Sequence, residues 1–159
     1  MTSRPPWIIH CDGSAEPNPG RMGMGAVIVA PDGARQTLSL TSSERGCNNE
    51  AELRALLAAL HSLDATQVDA LQIYSDNSVL VAQLDGHSTQ PPVIRLKDLF
   101  EEARASLASF DQVMLNWIPR HRNGEADALA RAAIGLPPKV TVKPLQGARS
   151  KLKKRKRQG

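Results

Sequence analysis

The chain has 159 residues, 41% of them hydrophobic, and a formal net charge of +4, which suits one globular domain with a sizeable core. No apolar run approaches the roughly 20 residues that span a bilayer, and the start, MTSRPPWIIHCDG, carries one arginine and no long apolar stretch, so neither a membrane span nor a signal peptide is expected. Cys11 and Cys47 show neither metal-ligand spacing nor a disulfide framework; free thiols in a reducing, cytoplasmic setting fit best.

Trp7 to Asp12 reads as a strand that ends on an acid. MGMGAVIVAPDGARQTLSLTS reads as two strands joined by a turn at Pro31-Asp32-Gly33. NNEAELRALLAALHSL switches to helical period, with Leu53, Leu56, Leu57 and Leu60 on one face. ALQIYSD is a short strand, and NSVLVAQLDG a short helix stopped by Gly86. HSTQPP is a loop. VIRLKDLFEEARASLASF is an amphipathic helix with Leu96, Leu99, Phe100, Ala103 and Leu107 in phase. QVMLNWIP is a fifth strand ended by Pro119, RHRNG a loop, and EADALARAAIG a last helix closed by Gly135 and Pro137-Pro138. The order β-β-β-α-β-α-α-β-α predicts an α/β fold: a mixed five-stranded sheet, opened by an antiparallel meander, extended by parallel crossovers and flanked by helices.

Charge is divided along the chain. Residues 139–159 hold nine basic residues and no acid, whereas residues 1–138 hold 11 basic and 16 acidic residues, a net of −5. The expected organisation is one catalytic-sized domain over 1–138 and a disordered basic tail over 139–159. Such a tail either contacts a polyanion such as nucleic acid or merely keeps the chain soluble.

Asp12 and Asp76 each end a predicted strand. Parallel strands place their carboxyl ends on one sheet edge, where ligands bind, so the two acids converge if their strands are neighbours. Singly, each has an ordinary explanation, a turn at Asp12-Gly13 or a helix cap around Asp76-Asn77-Ser78. Glu50 and Glu52 open the long helix, with Glu52 also placed as capping-box partner of Asn49. Glu125 and Asp127 open the last helix. Spacing alone does not separate Glu52 from Glu50. Clustered carboxylates repel one another unless they are protonated or hold cations. Hard oxygen donors without thiols or paired histidines suit Mg²⁺ or Mn²⁺, and two such ions about 4 Å apart serve in-line attack on a phosphodiester.

Asp12-Gly13-Ser14 with Asn18-Pro19-Gly20, then GAVI, NNEAEL, YSDNSVLV and WIPRHRNGEADALARAA, in this order, resemble type 1 ribonuclease H over about residues 7–135. The resemblance implies an endonuclease that cleaves the RNA strand of RNA–DNA hybrids with two Mg²⁺ ions, leaving 5′-phosphate and 3′-hydroxyl ends. It assigns Asp12, Glu52, Asp76 and Asp127 as metal ligands and catalytic acids, and it decides for Glu52 over Glu50, which becomes a rim charge. It assigns His121 to the leaving group or product release, Arg120 and Arg122 to phosphate, and Asn18, Asn48 and Asn49 to the RNA strand. Gly13, Ser14 and Ser78 belong to the same surface. Neutral amides suit the 2′-hydroxyl, which marks RNA.

The short step from His121 to Asp127 is similar to the family's compact branch, which lacks a basic protrusion; here that region is only DGHSTQPP. Substrate grip is then expected from the tail. Cys47 stands where family members often place a threonine near a DNA phosphate. The rival readings are a relative acting on double-stranded RNA or RNA–DNA junctions, and a non-catalytic nucleic-acid-binding module. A monomer is expected, in the cytoplasm, or in the nucleus were KLKKRKR to serve as an address.

Overall fold

The computed structural model describes residues 4–86 and 94–139. The strands β1 (Trp7–Glu16), β2 (Gly20–Val29), β3 (Arg35–Gly46), β4 (Leu71–Ser75) and β5 (Val113–Trp117) form one sheet in the order β3-β2-β1-β4-β5. β1, β2 and β3 pair antiparallel; β4 joins β1, and β5 joins β4, in parallel. The helices are α1 (Asn48–His61), α2 (Ser78–Asp85), α3 (Lys97–Ala108) and α4 (Gly124–Ala133). The element order and the mixed sheet are those expected. The loop HSTQPP and residues 140–159 of the tail lie outside the described residues.

β2 shows why helices cover both faces. Its residues alternate, so Met24, Ala26 and Ile28 enter the main core with Ile9, Cys11, Ile73 and the α1 side chains Leu56 and Leu60. Gly23 and Gly25 fall on the other face, where a Cβ on either would strike the backbone of α4. The missing side chains let α4 lie close against the sheet. α1 packs on the opposite face and also against α3. Its leucines therefore divide: Leu56 and Leu60 face the sheet, while Leu53 and Leu57 join Leu80, Leu96, Phe100 and Ala103. The single leucine face expected from the sequence is in fact two, because α1 is sandwiched between layers.

The turn at Pro31-Asp32-Gly33 forms as expected, with the Asp32 carboxylate accepting from Ala34 N–H at 2.9 Å. α2 is capped by Asn77, whose Oδ1 accepts from Leu80 N–H at 3.0 Å, and ends at Gly86 in the left-handed region (φ 76°). Two expectations need correction. β1 does not end at Asp12 but runs to Glu16, because β2 continues to pair with it through Glu16↔Arg21. Nor does Asn49 cap α1 with Glu52 as its partner. The cap residue is Cys47, without a side-chain hydrogen bond, and both asparagines lie inside the helix.

Candidate active site

The parallel register of β1 and β4 brings the first two acids together. The pairing runs from Trp7↔Leu71 to His10↔Tyr74; Asp12 and Asp76 lie two residues beyond the last pair on either strand. β4 ends at Ser75 while β1 continues along β2, so the two strands separate at the acids and a cleft opens there. Asp12 is held rigidly within a paired strand, whereas Asp76 follows the strand end and is steadied by Trp117, whose Nε1–H donates to the Asp76 carbonyl at 3.1 Å.

Glu52 joins them because of Gly13. A Cβ at position 13 would fall on the backbone of Ala51 and Glu52. The first turn of α1 thus rests directly on β1, and Glu52 comes beside Asp12. Carboxylate oxygens of Asp12, Glu52 and Asp76 lie within 4.8 Å of one another. Asn77 donates its side-chain amide to Glu52 and to Asn49 Oδ1, the latter at 2.9 Å. Asp127, in the first turn of α4, lines the same cleft at 7% exposure but stands outside this tight trio.

The cleft has a volume of about 290 Å³ and is lined by polar groups. Of the expected contact residues it takes in Gly13, Ser14, Asn48, Asn49, Ser78 and Arg120. Asn18, His121 and Arg122 are not among its lining. Asn18 instead accepts from the Asn48 backbone at 3.1 Å, tying the β1–β2 turn to α1, and Asn48 Oδ1 in turn accepts from Ala15 N–H at 2.8 Å. Arg120–Arg122 form one 3₁₀ turn; with three residues per turn they point in different directions. All three are exposed, but only Arg120 lines the cleft with the carboxylates. Three lining or adjoining residues were missed: Asn77, Asn123 and Lys139. Lys139, read as the first residue of a detached tail, lines the cleft. Asn77 and Asn123 each directly precede a helix, and that position was the available signal.

Burial raises the pKa of Asp12 well above the carboxylate range, reinforced by the negative charges of Asp76 and Glu52. Burial also raises Glu52, against hydrogen bonds from Asp12 and Asn77 that lower it, and raises Asp76, against the Asn123 hydrogen bond and the Arg120 charge. Opposed carboxylates at this range share protons or bind cations. Glu50, expected as a rim charge, is instead 6% exposed and paired with Arg54 Nε at 2.9 Å and Arg95 Nη1 at 3.3 Å. Its role is to join α1 to the chain leading into α3. Cys11 is a buried free thiol, which burial keeps protonated, and Cys47 is free and half-buried.

A family model described as reverse transcriptase-like matches residues 10–133. A ribonuclease H of Mycolicibacterium smegmatis is 32% identical over 154 residues, covering 84% of this chain and 93% of that protein. The chain belongs to the ribonuclease H family. Ribonuclease HI of Halobacterium salinarum is 35% identical over 126 residues, 79% of this chain. The matched region spans 62% of that relative's length, and 35% of a bifunctional protein of Mycobacterium tuberculosis that is 33% identical. The crystal structure of the Halobacterium salinarum ribonuclease H1 superposes with a TM-score of 0.74 at 32% identity, covering 80% of this chain and 96% of that one. LC11-RNase H1, solved in complex with an RNA/DNA hybrid, gives 0.72 at 30% identity, with 80% and 96% covered. The ribonuclease H fold thus accounts for the sheet order and for the edge on which the carboxylates meet.

Proposed function

We propose that this chain is a ribonuclease H that hydrolyses the RNA strand of RNA–DNA hybrids, with divalent cations held by Asp12, Glu52, Asp76 and Asp127. The observation that carries the reading is the trio of carboxylates within 4.8 Å in an open polar cleft. The donor set fits the cation: it is all hard oxygen, it is largely buried, and its repulsion is relieved by positive charge. The chemistry supplied by two bound Mg²⁺ ions, or Mn²⁺, is activation of the attacking water and neutralisation of the leaving 3′-oxygen.

The chain's own residues do the rest. Asp12, on a paired strand, and Glu52, on the first turn of a packed helix, keep their carboxylates fixed against recoil. Arg120 and Lys139 bring the positive charges of the cleft lining toward the substrate phosphates. Ser14, Asn48, Asn49 and Ser78 offer neutral donors and acceptors for ribose 2′-hydroxyls. His121 acts from the exposed rim on the leaving group or on product release, and Arg122 and the basic tail extend the phosphate grip. The protein works as a cytoplasmic monomer.

The test is a cleavage assay on end-labelled hybrid, duplex RNA, duplex DNA and a single-ribonucleotide junction, with and without Mg²⁺. Mg²⁺-dependent cutting of the hybrid's RNA strand, abolished in Asp12→Asn, is expected. Preference for duplex RNA or the junction would replace the substrate assignment. Binding of hybrid without any cleavage would make the chain a non-catalytic module.

A further inference from the structure

We propose that Asn123 is a positioning residue of the site, holding Asp76 and the Asp12-bearing strand in the one relative placement that lets them share a cation. This rests on the metal-site reading above and deepens it. Asn123 is the residue immediately before α4 and is only 1% exposed. Its Nδ2 group donates to the carbonyl of Cys11 at 3.0 Å and to Asp76 Oδ2 at 3.3 Å. Its own carbonyl accepts from the N–H of Asp127 at 3.1 Å. One side chain and one peptide group therefore reach the residue before Asp12, Asp76 itself, and the helical turn that carries Asp127.

The amide can take only one orientation. Turned over, its oxygen would face the Cys11 carbonyl and the Asp76 carboxylate, acceptors with no proton between them. With nitrogen facing the site, Asn123 Oδ1 is buried without a hydrogen-bond partner among the described residues. A buried acceptor left unpaired destabilises a fold, whereas an apolar residue in its place would not. Packing alone does not explain an amide here; two donors directed at one strand and one carboxylate do. The chemistry is also selective. Lysine or arginine would neutralise Asp76 and compete with a cation, and aspartate would add another negative charge to the cluster. A neutral double donor orients one carboxylate oxygen and leaves the anion's charge for the metal.

The experiment compares the full chain with Asn123→Ala and Asn123→Ser. Mg²⁺ and Mn²⁺ affinity is measured by calorimetry, kcat and KM on the hybrid by steady-state kinetics, and fold by circular dichroism melting in chelator. Groups that hold metal ligands in place contribute roughly 10–100-fold to affinity or activity. Asn123→Ala should therefore weaken metal binding and lower kcat by that factor, with KM for the hybrid within roughly threefold. Asn123 makes no side-chain hydrogen bond that caps α4, so Asn123→Ser, which keeps one donor, should fold and recover part of both losses. A folded Asn123→Ala, or a folded Asn123→Ser should the alanine variant not fold, with wild-type metal affinity and kcat overturns the proposal. So does a loss that serine leaves wholly unrecovered. A wild-type chain that neither binds Mg²⁺ nor cleaves hybrid overturns the metal-site reading itself, a separate and distinguishable failure.

Discussion

Two acids two residues apart on α1 have opposite surroundings. Glu50 is neutralised by Arg54 and Arg95, whereas Glu52 faces Asp12 and Asp76. Glu50→Gln should cost about 1–2 kcal/mol of stability through the lost ion pairs and leave hybrid cleavage nearly intact. Glu52→Gln should abolish cleavage without that stability loss; denaturant melts and rate assays on both variants check this. The raised carboxylates fix a second sign. A group whose folded pKa lies above its unfolded value stabilises most at low pH and loses that contribution as pH rises through the folded pKa. In chelator, then, the carboxylate cluster favours acid pH and opposes folding near neutrality. Asp12→Asn should stabilise the metal-free chain at pH 7 by roughly 1–2 kcal/mol, and the gain should shrink as pH falls. His10, buried beside Tyr74 with its pKa lowered to about 4, runs the other way. It stabilises above its unfolded pKa of 6.5, and that stability is lost as pH falls toward 4. Urea melts of both proteins from pH 4 to 8 separate the two trends.

At the scale of elements, the site depends on two close approaches. Gly13 admits the first turn of α1, and Gly25 admits α4. Gly25→Ala would press a methyl against the backbone at Ala126 and Ala130. Overpacking of this kind costs about 1–3 kcal/mol, measurable as a lower denaturation midpoint. Gly13→Ala meets backbone at the start of α1 and should displace Glu52, weakening metal binding by more than its stability loss accounts for; calorimetry with Mn²⁺ reads that directly. Most elements were legible in the sequence because each has its own period. The leucines of α1, the β-forming run of β4 and the Pro-Asp-Gly turn are local signals. The end of β1 was not legible. Asp12-Gly13 carries a turn signature, and only β2, paired alongside as far as Glu16↔Arg21, holds that stretch extended.

The whole molecule divides its charge between an acidic body and a basic end, and Lys139 lines the active cleft where that end begins. Deleting residues 140–159 should weaken hybrid binding and flatten its salt dependence by roughly one unit of slope per lost phosphate contact. Binding measured between 50 and 200 mM salt checks this, and an unchanged slope would leave the tail a solubilising segment. The sequence by itself determined which residue types were available for chemistry: the acids at element ends, the run of asparagines, and the elements in their order. Those are properties of composition and local period. The ordered motifs and their resemblance had already picked out Asp12, Glu52, Asp76 and Asp127; tertiary structure alone decided how they meet. The β1–β4 register set Asp12 beside Asp76, the absent side chain of Gly13 brought in Glu52 and left Glu50 to two arginines, and the 3₁₀ turn chose Arg120 over His121 for the cleft. Asn123 gained its partners, on β1 and just past the end of β4, only when α4 packed against β1 and β2. Each of these depends on contacts between segments far apart in the chain, which no local pattern records.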